Sequence, residues 1–154
     1  MDSDFWYYKG VVLNQKGRKW YDSALACYKQ ALELNKNHTP SIFNLACNYE
    51  KLEMYPDAKR EFKKAIEVDA AWPDAHYGLA LTCIKLKQYK EAVSAIENAV
   101  KYSGKTVTPH VLYLKALAYR ENRQFEAAQD AYKVIMKDKD SIFDFLRMIT
   151  EINK

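Results

Sequence analysis

Apolar and small residues recur along this chain in a fixed phase. The segments "YDSALACYKQALELN" from Tyr21, "YPDAKREFKKAIEVD" from Tyr55, "YKEAVSAIENAVKYS" from Tyr89 and "FEAAQDAYKVIMKDK" from Phe125 align. In each, an aromatic residue is followed by alanine three positions on and usually by a large residue seven positions on. The anchors Ala24, Ala58, Ala92 and Ala128 are spaced by 34, 34 and 36 residues. A second stretch precedes each segment: "DFWYYKGVVLNQKG", "PSIFNLACNYEKLEM", "PDAHYGLALTCIKLKQ" and "PHVLYLKALAYRENRQ". Gly10, Ala46, Ala80 and Ala116 share one place in these stretches, and Leu13, Tyr49, Cys83 and Tyr119 another. Small residues at the first place let two helices approach closely; larger ones at the second fill the space beside the contact. Thr39-Pro40 and Thr108-Pro109 read as N-caps before a proline at the first helical position, and Pro56 and Pro73 also fall at helix starts. After the fourth pair, Ile142, Phe145, Leu146 and Ile149 stand at i, i+3, i+4 and i+7. The pattern predicts nine helices, in four antiparallel pairs plus one.

Composition agrees with a helical class. The 154 residues suffice for one domain with a substantial core, and only 4 Gly and 4 Pro are present, few for the turns of a sandwich or barrel. The net charge of +4 is interleaved with acids, whereas a nucleic-acid surface gathers its positive charge on one face. The densest basic run, "KREFKK" from Lys59 to Lys64, reads as the solvated face of an amphipathic helix. Cys27, Cys47 and Cys83 stand in no metal or redox spacing, and no secretory leader is apparent, so a reducing, cytoplasmic setting is expected. No apolar run approaches the ~18 residues that suggest a membrane span.

This repeat resembles that of the tetratricopeptide repeat (TPR) family, a loose 34-residue pattern over a helix–turn–helix unit. The resemblance covers about residues 4 to 140 in four repeats, placed approximately at 3–38, 39–72, 73–108 and 109–140, with a capping helix at 141–152. It departs from the pattern at "GRKWYD", which adds about two residues, and at the longer "SGKTVT" linker. Both lie between helices, where insertions cost little. The resemblance implies an all-α, right-handed solenoid. The terminal helix would cover the apolar flank of the last repeat.

The resemblance also implies which side chains line the concave face. The first helix of each repeat faces that concavity with two places one turn apart. The first place holds Tyr7, Phe43, Tyr77 and Tyr113, and the second Val11, Cys47, Leu81 and Leu117. Trp6 aligns with Ile42, His76 and Leu112, a place that packs inside the repeat, and Tyr28, Phe62, Ile96 and Tyr132 supply a separate interior set. The ladder is surplus to that interior. A floor of Tyr and Phe beside aliphatics suits an apolar or amphipathic peptide. Asn14, Gln15, Glu50, Lys51, Lys85, Arg120 and Glu121 form a rim of mixed sign. Phe5 and Tyr8 fall on flanks where interior repeats meet neighbours, so they are either a cap or a contact surface.

Some family members grip the acidic tails of heat-shock chaperones with a carboxylate clamp of Lys, Asn, Asn, Lys and Arg. Here those five places hold Tyr7, Val11, Asn44, Asp74 and Gly78; one repeat later they hold Phe43, Cys47, Gly78, His110 and Leu114. Only Asn44 matches, and Asp74 would repel a carboxylate. Chaperone-tail binding of the usual kind is therefore rejected, although Asn44 stays on the groove.

Catalytic chemistry is not legible. There is no Gly-rich phosphate loop, and His38, His76 and His110 are scattered without metal spacing. Cys47 has no His placed to activate it and reads as a small lining residue. The expectation is a non-enzymatic protein-binding adaptor or scaffold without cofactor or metal, a monomer or weak homodimer. The other open readings are a module that self-associates through its terminal helices and a fragment of a longer protein.

Overall fold

The computed structural model describes residues 1–137, which form eight α-helices. They are α1 (Ser3–Gln15), α2 (Tyr21–Leu34), α3 (Thr39–Lys51), α4 (Tyr55–Val68), α5 (Pro73–Lys85), α6 (Tyr89–Ser103), α7 (Pro109–Glu121) and α8 (Phe125–Met136). The expected ninth helix lies outside the described residues. A single 3-10 turn, Arg18–Trp20, occupies the "GRKWYD" insertion.

Each odd-numbered helix packs on the even one that follows it, and each even helix on the next odd one. Odd-numbered helices also touch directly, α1 with α3, α3 with α5 and α5 with α7, while among the described residues no such contact joins two even-numbered helices. One layer converges and the other splays, so the stack curves with α1, α3, α5 and α7 on its inner side. This is an all-α solenoid of helix pairs.

The repeat anchors explain the spacing. Ala24, Ala58 and Ala92 are fully buried and Ala128 nearly so, and Gly10, Ala46, Ala80 and Ala116 are buried opposite them. Gly10 carries no Cβ because Tyr28 occupies its place: a Cβ there would lie 2.6 Å from Cε1 of the tyrosine. Gly78 stands in the same relation to the Phe62 ring, but across two repeats, since Phe62 belongs to α4 and Gly78 to α5. Tyr28, Phe62 and Ile96 are wholly interior, whereas Tyr132, expected beside them, is only half-buried and Ile135 takes the fully buried place on α8. Trp6 is also only half-buried, its ring edge-on to Phe5 and covered by the Lys9 ammonium at 4.7 Å.

Helix ends follow a repeated device that composition hides. Glu53, Lys87 and Arg123 each adopt a left-handed backbone, φ 60°, 59° and 62°, directly after the C-cap residues of α3, α5 and α7. The next N–H then reaches back to a carbonyl in the last turn: Met54 to Tyr49, Gln88 to Cys83 and Gln124 to Tyr119, all at 2.8 Å. This satisfies carbonyls that a helix end otherwise leaves open. In the first repeat Gly17 at φ 101° takes the turn instead, and the extra residues follow it. One expected cap moves: α3 starts at Thr39 with His38 as its N-cap, and the Thr39 hydroxyl donates to the Asn37 carbonyl. Thr108 is the N-cap of α7 as expected, without a side-chain hydrogen bond.

The basic run on α4 is neutralised by its neighbours. Lys59 and Lys63 hold Glu91 at 2.6 and 2.8 Å, Arg60 holds Asp57 at 2.7 Å, and Arg60 and Lys64 both reach the buried Glu61.

Candidate functional site

The predicted ladder residues stand on α1, α3, α5 and α7, two on each helix. Tyr7, Val11, Phe43, Cys47, Tyr77, Leu81, Tyr113 and Leu117 are all half-buried, while the small and large packing positions beside them on the same helices are mostly sealed. Tyr7, Val11, Phe43, Cys47, Tyr77, Leu81 and Leu117 pack partly against the buried core.

The ladder is not uniform. Tyr7 meets the His38 ring edge-on at 5.4 Å, and Phe43 lies against Trp72 at 4.6 Å and Phe62 at 5.9 Å. His38 and Trp72 are equivalent residues, each just before the next inner helix, and each covers the ladder residue of its own repeat. Phe43 is thereby a wall residue tied into the fold. His38 is itself fixed, with Nδ1 2.7 Å from Ser41 Oγ and Nε2 2.8 Å from Asp4 Oδ1.

Further along, the floor opens. A pocket of about 420 Å³ lies between α5 and α7, lined by Tyr77, Leu81, Ile84, Tyr113, Leu114 and Leu117, with Glu50, Lys85 and His110 contributing polar groups. Four of the eight ladder residues therefore gather at one place. Tyr7, Val11, Phe43, Asn44 and Cys47 lie outside that pocket, on the stretch of inner face toward the N-terminus. Ile84, His110 and Leu114 were not singled out for the groove by sequence. His110 and Leu114 stand at two of the places a carboxylate clamp would use. Ile84 could have been found from its place three residues after Leu81, one turn along the same helix face.

The rim differs residue by residue. Lys85 is exposed at the pocket mouth. Lys51 is also exposed, with its ammonium 5.3 Å from the Tyr21 ring. Arg120 is held by Glu121 through Nε at 3.0 Å and Nη2 at 2.8 Å, so its charge is internally compensated. Glu50 is half-buried, and burial pushes its carboxyl above the ordinary value, with Lys85 and Lys51 opposing the shift. Tyr77 is raised by burial and then by the negative charge of Glu50.

Cys47 is a lining residue electrostatically as well as sterically. Burial pushes its thiol up to about 12, with Lys51 the main opposing influence. Cys83 is pushed to about 11 and Cys27 is also raised, both chiefly by burial. A raised thiol stays protonated at neutral pH, and the thiolate is the nucleophile. In the folded protein at pH 8, all three cysteines should react with a disulfide reagent orders of magnitude more slowly than in guanidinium. Rapid labelling of Cys47 in the native state would contradict this.

Among the described residues no group of three His, Cys, Asp or Glu is placed to hold a metal ion. No described helix is long and apolar enough to cross a membrane.

A two-layered, curved stack of helix pairs with an apolar inner pocket is a repeat solenoid of the kind that serves as a protein–protein interaction module. Models of the tetratricopeptide repeat match residues 3–38, 43–107 and 110–140, and the chain belongs to the tetratricopeptide repeat family. Domains of this family are typically non-catalytic. Similar solved structures include MamA from Desulfovibrio magneticus RS-1, at 22% identity over 85% of this chain and 72% of that one, with a TM-score of 0.78. The TPR domain of Sgt2 from Aspergillus fumigatus aligns at 22% identity over 79% of this chain and 80% of its own, TM-score 0.73. YrrB, described as a TPR protein with an unusual peptide-binding site, aligns at 21% identity over 88% of this chain and 68% of its own, TM-score 0.78. At these identities the likeness is one of fold. No curated protein matches the sequence significantly.

Proposed function

We propose that the protein is a non-catalytic adaptor whose concave face takes an apolar or amphipathic segment of another protein. The observation that carries this reading is the half-buried ladder opening into the α5–α7 pocket. Tyr77, Leu81, Tyr113 and Leu117 form the anchor site, and Tyr7, Val11, Phe43, Asn44 and Cys47 extend the surface toward the N-terminus. Lys85 stands at the mouth, with Lys51 and Arg120 further out. No cofactor or metal is needed for such binding. The peptide-binding site for which YrrB is titled supports the reading by analogy of fold. In the same proposal, residues 3–38, 39–72, 73–108 and 109–140 are four repeats of one domain, with 141–152 as its cap.

A photo-crosslinking amino acid tests the location. Placed at Leu117, it should capture a peptide selected on the intact protein. Placed at Ser94, exposed on α6, it should not. Equal capture at both positions, or capture at Ser94 alone, would remove the site from the inner face.

One observation favours a second reading, self-association. Phe5, Tyr8 and Val12 are 45%, 64% and 52% exposed in a row on α1. The equivalent places on α5, Ala75, Gly78 and Thr82, are buried beneath α4. Bulky aromatics stand where an ordinary neighbouring repeat needs small residues. If this stripe pairs two copies, light scattering at tens of micromolar protein will show a dimer that Tyr8→Glu dissociates. A monomer leaves the adaptor reading alone.

A further inference from the structure

The proposed adaptor reading leaves the charge of the ligand open, and Glu50 bears on it. Asp4 on α1 has His38 and Glu121 on α7 has Arg120, and on α6 Glu97 accepts from the Tyr119 hydroxyl at 2.5 Å. Glu50 has no such partner. Half-buried on α3 at the edge of the α5–α7 pocket, it makes no hydrogen bond or ion pair with any described residue. Lys85 lines the same pocket from α5 without closing onto it. Asp74, exposed in the first turn of α5, is a second carboxylate without a described partner. The fields of Glu50 and Asp74 both reach Cys47, on the floor beside the pocket, and raise its thiol.

An apolar anchor entering the pocket displaces the water that now solvates Glu50. A carboxylate stripped of water needs a donor, because an unmet buried charge is costly. Lys85 and Lys51 are both exposed, and neither closes a hydrogen bond onto Glu50. Lys51 is in addition engaged with the Tyr21 ring. An acidic ligand residue at this spot would gain little from a hydrated lysine and would be repelled by Glu50 and Asp74. A cation gains a charge-assisted hydrogen bond.

We propose that the segment bound here carries a Lys or Arg within one helical turn of its apolar anchor, and that Glu50 accepts a hydrogen bond from that cation when the anchor seats between Leu81 and Leu117. This is the opposite polarity to an acidic-tail clamp, and it agrees with Asp74 and Gly78 standing where such a clamp would need cations.

The test is a random dodecapeptide library displayed on phage and panned on the intact protein. Selected peptides should share a large apolar residue with a neighbouring Lys or Arg. By fluorescence anisotropy, changing that cation to Gln should weaken binding about tenfold on the wild type. On Glu50→Gln the two peptides should bind alike. The Glu50→Gln variant loses a desolvated charge and keeps a good helix former, so it should fold, and Asp74→Asn provides a second, more exposed variant with a smaller effect in the same direction. Acidic peptides whose binding falls on Lys85→Gln would overturn the proposal, as would uncharged peptides indifferent to Glu50. If such peptides still lose affinity on Leu117→Ser, only the charge assignment fails and the inner-face site stands. If Leu117→Ser changes nothing, or no peptide is selected, both fail.

Discussion

Replacing Phe62 with alanine is expected to cost the fold about 3–5 kcal/mol. Phe62 is 2% exposed, lies edge-on to Phe43 on α3, and fills the space that Gly78 leaves on α5. One ring therefore joins three helices and the boundary between the second and third repeats. Truncation leaves a cavity that rigid helices cannot collapse around, and in a solenoid the repeats depend on these neighbour interfaces. Since a domain's whole stability is about 5–15 kcal/mol, the loss is a large share. Urea unfolding of the variant beside the wild type measures it. A change below about 1 kcal/mol would mean that the repeats do not pack through this residue.

The fold was legible because its main constraint is steric and local. An alanine at every helix crossing and an aromatic three residues before it leave a mark in the sequence, and the buried Ala24, Ala58, Ala92 and Ala128 are that mark in three dimensions. The turns were less legible. Glu53, Lys87 and Arg123 take a left-handed backbone that sequence reasoning assigns to glycine. The hydrogen bonds closing each turn offset the strain, so residue type carried no signal. His38 as the cap of α3 was hidden for a similar reason: Thr39-Pro40 is a strong local signal, but the His38 ring is held from outside its own helix by Asp4.

The site was legible in register but not in depth. The repeat phase assigns eight side chains to the inner face, and all eight are half-buried, as are other residues of the same helices. It does not tell which of them are covered. Phe43 and Tyr7 look equivalent to Tyr77 and Tyr113 along the chain. Phe43 and Tyr7 are covered by Trp72 and His38, which directly precede the next inner helix in the first two repeats, while after Tyr77 the longer "SGKTVT" linker stands in that stretch. The centre of the proposed site accordingly lies at Tyr77, Leu81, Tyr113 and Leu117. Tyr132, expected inside, is half-buried on the last described helix, which also exposes Phe125 and Met136.

The second large effect concerns Tyr77. It is half-buried, rests on the core by one face, and lines the pocket beside Leu81 and Tyr113. Aromatic residues at the centre of a desolvated patch carry much of an interface's affinity. Tyr77→Ala should weaken a selected peptide by about 2 kcal/mol or more, some thirtyfold. The same change should cost the fold much less than Phe62→Ala, because less of the ring is buried. The contrast between the two variants separates a binding residue from a packing residue, which neither shows alone.

The most direct measurement is therefore isothermal calorimetry of the selected peptide against the wild type and against a Tyr77→Ala and Leu81→Ala double variant whose thermal melt shows it to be folded. An inner-face site predicts a loss of at least about thirtyfold in affinity for the double variant. Unchanged affinity in the folded double variant would contradict it and place the binding surface elsewhere on the solenoid.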